Sequence, residues 1–170
     1  MDLTAYIRDV PDFPMPGILF RDITPLLGRA DAFRYAVDTF AEHCRRHRVD
    51  AVVGIESRGF IFGTPLAYIL QVPFIPVRKS GKLPAARMSV EYALEYGTSQ
   101  LDIHQDALTA GANVVIVDDL LATGGTAAAA AKLVELVGGS VQEFLFLIEL
   151  SVLDGRAKLA GYPVTALITY

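Results

Sequence analysis

The chain has 170 residues, of which 52% are hydrophobic and 20% are charged, and its formal net charge is −4. This length is sufficient for one domain with a sizeable core, and the composition is not that of a disordered chain. A nucleic-acid-binding protein usually presents a basic surface, which the acidic balance does not favour.

Disulfides, membrane segments and export signals are not expected. The single cysteine, Cys44, cannot form a disulfide within the chain. No apolar stretch is long enough to span a bilayer. Residues 1–10, which include Asp2, Arg8 and Asp9, do not resemble a secretory signal. We therefore expect a cytoplasmic protein with neither nucleic acid nor membrane as a partner.

The first thirty residues predict a small lobe, because prolines and a glycine interrupt any long element. Ile18, Leu19 and Phe20 favour one short strand within it. We expect a single domain in which residues 1–30 form an N-terminal hood and residues 31–170 form an α/β core.

A helix is predicted after Asp31, whose side chain can cap it. Five apolar residues then share one face at helical spacing: Phe33, Val37, Phe40, Ala41 and Cys44. The basic residues 45–48 complement the negative end of this helix.

Apolar runs and turn residues predict the remaining elements. The expected order is a buried strand at 51–55, a turn at 56–59, a helix at 60–70, a strand at 72–77 with prolines near its ends, a basic loop at 78–88, a hairpin of 89–95 and 99–104 around Gly97, a central strand at 114–117, a helix at 126–137, and strands at 144–148 and 163–170. Because strands alternate with helices, a mainly parallel sheet flanked by helices is the expected fold.

The stretch from Asp118 to Thr126 predicts a site for a ribose phosphate. Ligands of open α/β sheets bind at the carboxyl ends of strands, and glycines before a helix let backbone N–H groups approach a phosphate. Asp118 and Asp119 would repel a phosphate but suit ribose hydroxyls or a divalent cation. Neither the G-x-G-x-x-G turn of dinucleotide sites nor the G-x-x-x-x-G-K-[ST] loop is present.

Cations follow two of the predicted strands and give an acidic protein a local anion site. Arg58 comes after the first strand, and Arg78, Lys79 and Lys82 come after the second. Charge-assisted hydrogen bonds from these groups would bind a second anion near the ribose phosphate.

The chain resembles the type I phosphoribosyltransferases, and its longer motifs resemble the members that act on adenine. Nearly the whole chain takes part, in order, through residues 13–25, 57–60, 78–84, 94–97, 114–126 and 149–156. The resemblance implies the type I phosphoribosyltransferase fold, a cis peptide bond near Glu56 and Ser57, and a homodimer in which Arg78 reaches the partner's site.

The resemblance also implies a reaction, in which adenine and 5-phosphoribosyl 1-pyrophosphate give AMP and pyrophosphate with Mg²⁺ as the cofactor. Substrate oxygens, waters and an acid would hold the Mg²⁺ without a dedicated protein cage. His43, His47 and His104 lack the spacing of metal ligands.

Roles for individual residues follow from the same resemblance. Glu95, which is followed by a tyrosine, handles the proton of the base. Glu91 with Tyr92 repeats this Glu-Tyr pair four residues earlier and could be mistaken for it. Phe20 stacks on adenine, and backbone groups of Leu19 and Arg21 bind its edge. The ribose 5-phosphate is bound by Asp118, Asp119, Ala122, Thr123, Gly124, Gly125 and Thr126, and pyrophosphate by Arg58, Arg78, Lys79 and Lys82.

Two other functions stay open on sequence. The first is the same chemistry on hypoxanthine, guanine or xanthine, against which the Phe20-Arg21-Asp22 segment argues. The second is a regulator that binds phosphoribosyl pyrophosphate without turnover. A regulator of that kind tends to carry a DNA-binding segment and a basic surface, which this sequence does not show.

Overall fold

A computed structural model of the chain describes residues 1–93 and 97–170. Its α-helices in this part of the chain are α1 (Thr24–Leu27), α2 (Ala30–Cys44), α3 (Gly59–Leu70) and α4 (Gly125–Leu136), with short 3-10 helices at Thr4–Tyr6, Ser151–Leu153 and Gly155–Leu159. Its strands are β1 (Arg8–Pro11), β2 (Leu19–Asp22), β3 (Ala51–Ile55), β4 (Phe74–Lys79), β5 (Arg87–Ala93), β6 (Thr98–His104), β7 (Asn113–Leu121), β8 (Ser140–Glu149) and β9 (Val164–Thr169).

The main sheet confirms the predicted α/β class. In the described residues it has seven strands in the order β5-β6-β4-β3-β7-β8-β9. The neighbours from β4 to β9 run parallel, and the β5–β6 hairpin attaches antiparallel to β4. Helices cover both faces because buried parallel strands have no face left for water.

Strand β7 shows how the core is divided. Side chains alternate along a strand, so Val114 and Ile116 pack on the α4 side, whereas Val115 and Val117 pack with α2 and α3. All four side chains are fully buried. The end of β7 is therefore fixed from both sides before the polar residues begin.

The hood is a separate two-stranded sheet in which β1 and β2 pair antiparallel, with Pro11 opposite Leu19. The strand expected at residues 18–20 lies at Leu19–Asp22. Ile23 and Leu26, just after β2, are buried in the α2 and α3 side of the core. These two side chains connect the hood to the core, while Leu19 stays 46% exposed.

Two local predictions were wrong. Helix α2 begins at Ala30 with Arg29 as its N-cap, so Asp31 does not cap it; its carboxylate accepts two hydrogen bonds from the Arg29 guanidinium instead. Strand β4 extends through Lys79, so the basic loop is shorter than 78–88, and Pro76 lies inside the strand. This proline is tolerated because β6 pairs with β4 only at Arg78 and Lys79, beyond it.

Cys44 lies on the buried face of α2 with 1% of its surface exposed. Burial, aided by the nearby Glu143 carboxylate, raises the pKa of its thiol to about 12. Among the described residues, no helix has the length and apolarity needed to cross a membrane.

Candidate active site

The carboxyl ends of β3 and β7 define the candidate site. These strands are parallel neighbours. The chain passes from β3 to β4 on one side and from β7 to β8 on the other, so the connections after the two strands run in opposite directions. Such a reversal opens a crevice where α/β proteins bind ligands. A cavity of about 430 Å³ lies here, lined by Glu56, Ser57, Arg58, Lys79, Tyr92, Ser99, Leu101, Asp118, Asp119 and Thr126.

Asp118 and Asp119 lie at the floor of this cavity. Asp119 is 4% exposed, and its backbone N–H donates to Asp118 Oδ1 at 2.9 Å. Burial, together with the Asp119 charge, raises the pKa of Asp118 well above its usual range. Burial also raises the pKa of Asp119, although Arg58 opposes that shift. A pair of acids held this way favours a ligand that offers hydroxyl donors or a cation.

Arg58 connects the acid pair to the hood. Its Nε forms an ion pair with Asp119 Oδ2 at 3.0 Å, and its Cζ lies 5.4 Å from the centre of the Phe20 ring. The next residue, Gly59, permits this approach, because a Cβ there would lie 2.6 Å from the Val117 carbonyl oxygen. The predicted anion-binding arginine thus lies between the acids and the aromatic ring.

The loop after β7 forms a second recess of about 80 Å³, which adjoins the first. Its lining includes every residue from Leu120 to Ala127, together with Asp118 and Phe146. Gly124 has φ +78° and packs directly on the backbone of Gly155, a contact that leaves no room for a side chain. Because α4 begins at Gly125, the N–H groups of its first turn lie at this recess, an arrangement that suits an anion.

The other predicted cations are divided by the structure. Lys79 lines the cavity, whereas Arg78 and Lys82 do not. Arg78 donates to Glu56 Oε1 at 2.7 Å and to the Lys82 carbonyl oxygen at 3.1 Å. The Arg78 guanidinium lowers the pKa of Glu56, with help from the Lys79 N–H.

The predicted base-binding residues lie on β2 in the hood. The Phe20 ring is half-buried and meets Phe13 edge to face at 5.1 Å. The Arg21 side chain points away from the cavity, where it pairs with Asp9 and lies 3.6 Å above the centre of the Tyr170 ring. None of Leu19, Phe20 and Arg21 is among the residues that line the cavity.

The sequence did not indicate roles for Glu56, Tyr92 and Ser99. Glu56 follows β3, and its position at the carboxyl end of a predicted strand was the one sign in the sequence that it belongs to the site. Tyr92 and Ser99 are direct partners across the hairpin, and both line the cavity. The sequence predicted the hairpin, but no local pattern predicted that its side chains meet the loop after β7.

A cis peptide joins Glu56 and Ser57, as the family resemblance implied. Glu95, the residue expected to handle the proton, lies outside the described residues. No group of three or more His, Cys, Asp or Glu side chains in the described ranges could hold a metal ion. Of the three histidines, His43 and His47 lie against buried Glu143.

This fold and site define a phosphoribosyltransferase. Residues 27–157 match the family of the phosphoribosyl transferase domain, and the chain belongs to that family.

Relatives that match the chain over its full length indicate which group within this family it belongs to. The chain is 61% identical over 171 residues to an adenine phosphoribosyltransferase of Gloeobacter violaceus and 58% identical over 172 residues to one of Crocosphaera subtropica, with 100% of each chain covered. The chain is therefore a member of the adenine phosphoribosyltransferase group.

Solved structures agree with this placement. The adenine phosphoribosyltransferase of Thermoanaerobacter pseudethanolicus superposes with a TM-score of 0.97 at 54% identity, covering 99% of this chain and 98% of that one. The Saccharomyces cerevisiae protein, complexed with an imino-altritol bisphosphate and adenine, gives 0.94 at 43% identity, with 98% and 96% covered.

Proposed function

We propose that this chain converts adenine and 5-phosphoribosyl 1-pyrophosphate to AMP and pyrophosphate in the cytoplasm, as one domain with a hood at residues 1–30. The observation that carries the proposal is the acid pair at the end of β7, with a phosphate-sized recess beyond it and an aromatic ring on its other side. Such an arrangement suits a ribose that carries phosphate at one end and receives a base at the other.

The acid pair and the recess bind the ribose 5-phosphate. Asp118 and Asp119 accept hydrogen bonds from the ribose hydroxyls, which would compensate the cost of keeping both carboxylates charged. Residues 122–126 bind the phosphate with N–H and hydroxyl donors. The negative field of the acids also favours the positive charge that develops on the ribose as the bond to pyrophosphate breaks.

Pyrophosphate lies on the side of Arg58 and Lys79, the two cations that face the cavity. We assign Arg78 and Lys82 to pyrophosphate as well, with Arg78 acting in the partner's site of a homodimer. Tyr68 and Ile69, which are 85% and 38% exposed on α3, support association through an apolar face.

Mg²⁺ fits this site as an ion shared with the substrate. The paired acids at the cavity floor have raised pKa values, which a nearby cation would lower again. The ion supplies charge neutralisation for the pyrophosphate leaving group. The substrate oxygens and waters would complete its coordination, because no group of three or more His, Cys, Asp or Glu side chains among the described residues could hold a metal ion.

The base binds under the hood. The Phe20 ring stacks on adenine, and the backbone of Leu19 and Arg21 binds its edge, where a carbonyl suits the exocyclic amine of adenine. An oxo-purine would place oxygen against that carbonyl at a cost of about 1–3 kcal/mol. The ring nitrogen attacks the anomeric carbon as pyrophosphate leaves, and Glu95 accepts the ring proton.

A panel of bases tests the proposal. Purified protein with Mg²⁺ and phosphoribosyl pyrophosphate should release pyrophosphate with adenine and far more slowly with hypoxanthine, guanine or xanthine. Preference for an oxo-purine would reassign the substrate. Binding of phosphoribosyl pyrophosphate without turnover of any base would indicate a regulator.

Glu95→Ala tests the proton acceptor. Loss of a general base typically lowers turnover by about 10²–10⁴-fold, and the affinity for phosphoribosyl pyrophosphate should stay nearly unchanged. Glu91→Ala is the matched control, since it removes the other Glu of the repeated pair. An equal loss in both variants would refute the assignment to Glu95.

A further inference from the structure

Tyr92 is a residue of the cavity wall that the proposed reaction does not yet use. It lies one residue before the end of β5 and is half-buried, with its ring packed against the α4 side of the core. Its hydroxyl lies 3.4 Å from Thr126 Oγ1, in the first turn of α4. A tyrosine of the hairpin therefore contacts the phosphate recess through one hydroxyl pair.

The end of β5 also lies close to the start of α4. A Cβ added to Gly125 would lie 3.4 Å from the Ala93 carbonyl oxygen and 3.5 Å from Tyr92 Cδ2. Thr126 lines both the small recess and the larger cavity, whereas Tyr92 lines only the larger one. Tyr92 is thus placed behind Thr126 as seen from the recess.

The chemistry of the two hydroxyls gives this contact a direction. Each hydroxyl can donate one hydrogen bond and accept others, whereas a phosphate oxygen mainly accepts. In the structure Thr126 Oγ1 donates to the Tyr92 hydroxyl. If Thr126 donates to a phosphate instead, the Tyr92 hydroxyl can turn and donate to Thr126. That second hydrogen bond strengthens the one from Thr126 to the phosphate.

We propose that Tyr92 is a positioning residue for the phosphate recess, which acts through Thr126 and orients its hydroxyl towards the 5-phosphate of the substrate. This inference rests on the proposed function for the identity of the phosphate. It adds to that function a role for the hairpin in recognising the ribose phosphate end.

Tyr92→Phe tests the proposal, because it removes the hydroxyl and keeps the ring in the core. We expect the KM for phosphoribosyl pyrophosphate to rise about three- to tenfold, as for the loss of one hydrogen bond, while kcat and the KM for adenine change less than about twofold. Tyr162→Phe is the matched control, since its hydroxyl bonds to Glu135 at 2.5 Å and lines none of the cavities described above.

A double-mutant cycle separates positioning from packing. Thr126→Val should weaken substrate binding by itself, and Tyr92→Phe should add almost nothing in that background. Equal effects of Tyr92→Phe with and without the Thr126 hydroxyl would overturn the proposal, as would an unchanged KM. A lowered thermal midpoint with both KM values raised would also overturn it, because it would assign Tyr92 to packing alone.

Calorimetry with ribose 5-phosphate keeps this test independent of the base. Weaker binding of ribose 5-phosphate by Tyr92→Phe would support the role of Tyr92 even if adenine were not the substrate. Unchanged binding would refute that role even if turnover of adenine were established.

Discussion

The phosphate cradle (residues 118–126) and the hood differ in how the fold supports them. The cradle ends a strand whose side chains are buried on both faces, and Gly155 packs against its loop. The hood is a two-stranded sheet outside the main sheet, and its Phe13 and Leu19 side chains are about half exposed. The difference suggests that the ribose phosphate meets a prearranged surface, whereas the base meets a surface that a small shift can adjust.

Among changes to the cradle and the hood, the largest effect is expected at the cradle floor. Asp119→Asn removes the charge that pairs with Arg58 and accepts from ribose, so kcat/KM for phosphoribosyl pyrophosphate should fall about 10- to 100-fold. Steady-state kinetics with each substrate varied would measure this loss. Asp106→Asn, at an exposed acid, is the control, and kinetics equal to that control would count against the cradle as the ribose site.

Substrate binding by a prearranged cradle should also depend on the residues that pack against its loop. A methyl group on Gly155 would collide with the Ala122 carbonyl oxygen and the Leu121 side chain. Gly155→Ala should lower the free energy of unfolding by about 1–3 kcal/mol and raise the KM for phosphoribosyl pyrophosphate. Denaturant unfolding checks the first effect. Gly28→Ala, where the nearest atoms are at 3.5 Å, should be nearly neutral.

A smaller and more selective effect is expected in the hood. Phe20→Leu keeps an apolar side chain but removes the stacking surface, so the KM for adenine should rise about three- to tenfold. The KM for phosphoribosyl pyrophosphate and the thermal midpoint should stay close to those of the unaltered chain. Equal losses for both substrates would show that the hood and the cradle act as one unit.

The smallest effect concerns stability and pH. The folded pKa of Asp118 is raised, so the stabilising contribution of its protonated form is present below the unfolded pKa and is lost as the pH rises through the folded value. Asp118→Asn imitates the protonated acid and should be more stable than the unaltered chain at neutral pH. Urea unfolding should show this gain shrinking towards about pH 4; a gain independent of pH would be evidence against a raised pKa.

The sequence predicted those parts of the molecule that depend on local patterns. The order Asp118, Asp119, glycines and helix predicted the cradle, because each step is set by neighbours in the chain. The pairing of Arg58 with Asp119 and of Arg78 with Glu56 was not predictable, since the two partners of each pair belong to the ends of different strands and only the sheet order brings them together. Asp31 was predicted as an N-cap because aspartate is common at that position. In the structure its carboxylate accepts a hydrogen bond from the Arg29 side chain instead.

The buried thiol of Cys44 has a practical consequence for spectroscopy. A thiolate is the reactive form of cysteine, and a pKa of about 12 together with 1% exposure leaves this side chain inert to maleimide probes at neutral pH. A cysteine introduced at exposed Ala93, at the end of the hairpin, would then be the single labelled position. A fluorophore there would report how the hairpin responds to ribose 5-phosphate, without removal of the native thiol.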